Sequence, residues 1–112
     1  MMENVQFKAR ITICFQSNIQ SESQLKSDRA FVQKFFPHLL GLVALKCECS
    51  AFVYHPDESA EASGYYNHGV YVDIDQEIKP QNRYQASKFL DGLCGILNNS
   101  DRFLRCEFEL LS

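Results

Sequence analysis

Hydrophobic and polar residues exchange places along this chain with two distinct periods. From Phe7 to Phe15 they alternate strictly, with Phe7, Ala9, Ile11, Ile13 and Phe15 on one side and Lys8, Arg10, Thr12 and Cys14 on the other. A period of two marks a strand with one buried face. The same alternation predicts a strand over Leu45–Tyr54, with Cys47, Cys49, Ala51 and Val53 sharing one side and Glu48, Ser50, Phe52 and Tyr54 the other. A third strand lies within Tyr65–Ile78, where Val70, Val72 and Ile74 face inward and Tyr71, Asp73 and Asp75 outward. The last spans Phe103–Leu110, with Leu104, Cys106, Phe108 and Leu110 inward and Arg105, Glu107 and Glu109 outward.

Two stretches follow the helical period instead. Leu25, Val32, Phe35, Phe36, Leu39 and Leu40 form one apolar stripe, opposite Lys26, Asp28, Arg29, Gln33 and Lys34. Ser21 with Gln24 has the spacing of a capping box. Pro37 removes one helical hydrogen bond and disfavours helical geometry at Phe36, so a break is expected there, followed by a short turn over His38–Leu42. A second helix opens at Pro80, with Asn82 and Gln85 as a cap pair. Its stripe is Ala86, Phe89, Leu90, Leu93, Ile96 and Leu97, and Asn98-Asn99 suits a left-handed end. Gly92 and Gly95 fall inside it, which suggests close packing on the sheet.

The order β-α-β-β-α-β within 112 residues implies a single domain over 1–112. The simplest arrangement is an α+β, two-layer, ferredoxin-like sandwich: a four-stranded antiparallel sheet with both helices on one face. The other face is then open and should carry Lys8, Arg10, Phe52, Tyr54, Tyr71, Asp73, Asp75, Arg105, Glu107 and Glu109. Composition agrees with a packed domain. At 46% hydrophobic and 22% charged residues, a disordered or low-complexity chain is excluded.

Charge sharpens the picture. The net value is −3, which speaks against a general nucleic-acid binder. From Cys47 to Ile78 the charged residues are Glu48, Asp57, Glu58, Glu61, Asp73, Asp75 and Glu77, without a lysine or arginine, so the acids concentrate in one third of the chain. Part of that third, His55–Gly64, reads as a loop longer than a usual hairpin connection.

Catalytic and metal chemistry find little purchase. Cys47-Glu48-Cys49 with His55 could be drawn as a zinc or redox site, but zinc wants four ligands and no second cysteine pair follows, so small core residues explain the pattern better. A Cys49–His55 nucleophilic pair has no orienting third group. No glycine-rich phosphate loop is present. Five cysteines cannot all pair within the chain, and reduced core thiols in a cytoplasmic protein are expected. The first residues show no signal-peptide pattern and no apolar run is long enough to span a bilayer. No cofactor or metal is called for, and no membrane association.

Function is therefore expected to reside in a surface. The candidate partner-binding residues are Asp57, Glu58, Glu61, Tyr65, Tyr66, Tyr71, Asp73, Asp75 and Glu77, where tyrosines supply contact area and carboxylates steer a basic protein. Small acidic proteins that block basic clefts include the immunity proteins of bacterial toxin systems, and an antitoxin neutralising a nuclease would fit this description; the likeness is one of type and rests on no motif. Two alternatives belong to other classes. One is a small enzyme or ligand-binding subunit dimerising through its open sheet face. The other is an RNA-binding module using Phe52, Tyr54, Tyr71 and Phe103 as stacking platforms, against which the neighbouring carboxylates and the missing cationic groove count.

Overall fold

A computed structural model describes residues 3–18, 22–54, 65–99 and 105–111. The elements are β1 (Val5–Asn18), α1 (Glu22–Gly41), β2 (Glu48–Tyr54), β3 (Tyr65–Ile78), a 3-10 turn over Pro80–Asn82, α2 (Arg83–Asn98) and β4 (Arg105–Leu110). The strands form one antiparallel sheet in the order β2-β3-β1-β4. β1 and β2 therefore run the same way with β3 between them, and β3 and β4 likewise enclose β1. These are two interleaved split β-α-β units, the arrangement expected from the pattern.

The alternation of β1 is what builds the core. Phe7, Ala9, Ile11, Ile13 and Phe15 all point beneath the sheet and are inaccessible to solvent. They join Val70, Val72 and Ile74 of β3, Val32, Phe36 and Leu40 of α1, and Leu90, Cys94 and Leu97 of α2 in one cluster. Both helices thus cover the same face. Each large aliphatic or aromatic side chain buried there contributes about 1.5–3 kcal/mol. β1 and β3 pair along their full lengths, from Val5 opposite Ile78 to Asn18 opposite Tyr65.

Several local expectations are corrected. α1 continues through Pro37 to Gly41 without a break. Pro37 is exposed, while Phe36 and Leu40 on either side are fully buried, so their packing offsets the missing bond. Asp28, expected on the solvent side, is buried, and Arg29 beside it donates to the Phe52 carbonyl on β2 at 3.4 Å. The Ser21 cap lies outside the described residues.

The end of α1 is closed by a tight turn. Leu45 N–H donates to the Leu40 carbonyl at 2.9 Å and Ala44 N–H to Gly41 at 3.1 Å. This is the Schellman pairing, and it requires a left-handed residue at Ala44, whose φ is 62°. Leu40 and Leu45 both sit in the core, completing the motif's apolar contact. Gln76 of β3 then pins the outgoing chain by accepting from Lys46 N–H at 2.7 Å and donating to the Ala44 carbonyl at 3.2 Å. β2 consequently begins at Glu48, not Leu45.

α2 differs in four details. Asn82 makes no side-chain cap; a 3-10 turn leads into the helix instead. Ile96 is 70% exposed because it lies about 120° around the helix from Leu90, and Cys94 takes its place in the core. Gly92 and Gly95 face open space, so packing does not require them. The helix ends without a left-handed residue: Asn99 has φ −91°, and its side-chain amide donates to the Gly95 carbonyl at 3.1 Å. Asn98 turns to β4, accepting from Cys106 N–H at 2.6 Å and donating to the Cys106 carbonyl at 2.7 Å. One side-chain amide thereby pairs with the edge of β4 where another strand would otherwise dock. No helix among the described residues is long and apolar enough to cross a membrane.

Candidate binding face

The strand register arranges the uncovered face in rows. Phe52, Gly69, Cys14 and Arg105 lie side by side across β2, β3, β1 and β4. Ser50, Tyr71, Thr12 and Glu107 form the next row, and Glu48, Asp73, Arg10 and Glu109 the one after. Beyond these, Asp75 stands opposite Lys8 and Glu77 opposite Gln6.

An aromatic pair occupies one side. The Phe52 and Tyr71 rings stack with centroids 4.4 Å apart. Gly69 makes this possible, since a Cβ there would come within 2.7 Å of the Phe52 ring and also meet the Ile13 carbonyl. A ring lying over a strand glycine restores the apolar cover that the missing side chain gives up. Arg10 extends the stack from the next strand, its guanidinium 4.3 Å from the Tyr71 centroid.

The same guanidinium grips Asp73, Nε to Oδ1 at 2.7 Å and Nη2 to Oδ2 at 3.3 Å. This fork holds Arg10 above its ordinary pKa, chiefly through the hydrogen bond to Asp73. Asp73 is therefore locally compensated, contrary to a reading of the acidic segment as uncancelled charge. Its neighbours carry the surplus. Gln6 donates to Asp75 and Arg105 meets Glu107 at 3.4 Å, whereas among the described residues Glu48, Glu77 and Glu109 form no ion pair. Among the described residues Glu48, Asp73, Asp75, Glu77, Glu107 and Glu109 oppose Lys8, Arg10, Lys46 and Arg105 on this face, leaving it net negative. A shallow depression of about 500 Å³ opens among Lys46, Cys47, Glu48, Asp73 and Asp75.

Of the residues predicted to bind a partner, Tyr71, Asp73, Asp75 and Glu77 stand at successive outward positions of β3. Tyr65 and Tyr66 begin that strand, paired with Asn18 and Ser17. Asp57, Glu58 and Glu61 lie outside the described residues, as do His55 and Phe103. Sequence reasoning placed Glu107, Glu109 and Arg10 on the face but left them out of the site. A segment-by-segment charge count could not join them to β3; only the register does.

The thiols of Cys47 and Cys49 turn beneath the sheet and pack against the core. Burial, then the neighbouring Cys49, pushes the Cys47 thiol up to about 12. Such thiols resist forming the thiolates that bind metal. Among the described residues no three histidine, cysteine or carboxylate side chains converge as metal ligands. A second depression, of about 470 Å³, has Leu45, Ile78, Ala86 and Phe89 in its wall and Gln76, Lys79, Asn82 and Gln85 around them. Its lining also includes Glu77 and holds no cysteine, serine, threonine or histidine.

No protein-family model, curated protein or solved structure matches this chain. The functional reading therefore rests on the geometry of the face.

Proposed function

We propose that this chain is a non-enzymatic binding protein that covers a basic surface of another protein with its open sheet face. Phe52 and Tyr71 supply desolvated contact area, and the surrounding carboxylates attract and orient the cationic partner. The observation that carries this reading is the excess of carboxylates around a stacked aromatic pair on a face that, among the described residues, no helix covers. In its specific form the partner is a toxin such as a nuclease, whose phosphate-binding cleft is basic, and the chain acts as its immunity protein by occlusion.

The same charge distribution disfavours the two alternatives. A second copy docked face to face would bring like charges together, and RNA would present phosphates to Asp75, Glu107 and Glu109. Affinity capture from the native source tests the proposal, with a variant carrying Asp75→Asn, Glu107→Gln and Glu109→Gln as the control. A basic protein held by the parent, released by moderate salt and lost by the variant is expected. Capture of the same proteins by both chains would overturn it.

A further inference from the structure

Two thiols that play no part in the open face meet beneath the sheet. Cys94 of α2 and Cys106 of β4 are both buried, and their sulfurs lie 3.2 Å apart. The approach is held on both sides. Asn98, one turn after Cys94, clasps the N–H and carbonyl of Cys106. β1 holds the other edge of β4, with Ile13 opposite Cys106. This frame fixes the backbone of Cys106 against α2 and β1. Bond formation requires them to close from 3.2 Å to about 2.05 Å, a movement within the reach of side-chain torsions.

We propose that Cys94 and Cys106 form a dithiol–disulfide couple, closed by a small hydroperoxide and tying α2 to β4. Cys94 is the attacking sulfur. The Cys106 S–H donates to it, which favours the Cys94 thiolate and holds Cys106 as a thiol. The Cys94 thiolate displaces hydroxide from the peroxide O–O bond and becomes a sulfenic acid. Cys106 then attacks that sulfur, its proton leaves with the departing hydroxyl as water, and the disulfide forms. Overall two thiols lose two electrons and two protons, and one hydrogen peroxide becomes two waters.

Peptide mapping after mild oxidation of the folded protein with hydrogen peroxide tests this directly. Trypsin cleaves after Lys88, Arg102 and Arg105, which separates residues 89–102 from 106–112. The expected product is a disulfide-linked pair of these two peptides, two hydrogens lighter than their sum and parted by a reductant. The thermal midpoint should rise by at least about 5 °C on oxidation, because the bond restricts the unfolded chain. A Cys47→Ser, Cys49→Ser double variant should behave like the parent. Thiols at 94 and 106 that stay reduced, that over-oxidise without joining, or that pair with another cysteine would each overturn the proposal.

Discussion

The Phe52 ring stacks on Tyr71 directly above Gly69, so one missing side chain on β3 makes room for the aromatic pair of the open face. Gly69→Ala would drive a methyl group into the Phe52 ring and towards the Ile13 carbonyl. Both the sheet spacing and the stack must then yield. A loss of about 2–3 kcal/mol is expected in urea unfolding, as for overpacked cores. Tyr71→Phe should leave stability nearly unchanged, because it keeps the ring.

Arg10 joins that stack to the carboxylates, and its removal should act on stability and binding in opposite directions. Its pair with Asp73 is partly exposed, with side chains 39% and 33% accessible, so solvent screening limits the pair to about 0.2–1 kcal/mol. The contact with Tyr71 adds about 0.5–1 kcal/mol. Arg10→Met should therefore cost about 1 kcal/mol in denaturant melts. It also leaves Asp73 uncompensated, so the association rate with a cationic partner should increase at low salt, as read by stopped-flow mixing.

Much of this architecture is legible in residue order, and the parts that are not have physical causes. The period-two alternation of Phe7–Phe15 identifies β1 because every second residue must escape water. Val70, Val72 and Ile74 identify β3 for the same reason. Pro37 misleads because a propensity rule counts one lost hydrogen bond but not the burial of Phe36 and Leu40 beside it. Asn98 misleads because a cap for a helix and a clasp for an edge strand need the same side chain. In the binding face, Tyr71 and Asp75 can be read from β3 alone. The compensation of Asp73 by Arg10 cannot, since residues 63 positions apart meet only once the strands are registered.

Three helix-end and helix-surface positions hold conformations that other residues would favour. Ala44 adopts the left-handed region at an exposed site, so Ala44→Gly should stabilise the fold by about 1 kcal/mol. Gly92 and Gly95 are exposed within α2 and have open space where a Cβ would stand. Gly92→Ala and Gly95→Ala should each add about 0.5–1 kcal/mol by restricting the unfolded chain. Thermal melts of the single and combined variants check both expectations.

Alkaline conditions should weaken the fold through Cys47. Its thiol ordinarily titrates near 9.0, and burial lifts it to about 12 in the folded protein. Between those values the unfolded chain releases a proton that the folded chain keeps. The stabilisation is present in full below about pH 9 and declines as pH rises towards 12. Unfolding midpoints measured from pH 8 to 11 should fall, and Cys47→Ala should flatten that part of the slope.

Carboxyl footprinting of the complex with a captured basic partner tests the central claim most directly. Amide-forming labels should react with Asp75, Glu77, Glu107 and Glu109 in the free protein and be excluded from them in the complex. Asp91, exposed on α2, should label equally in both. Protection of Asp91 with the sheet carboxylates still reactive would place the partner on the helices and contradict the account.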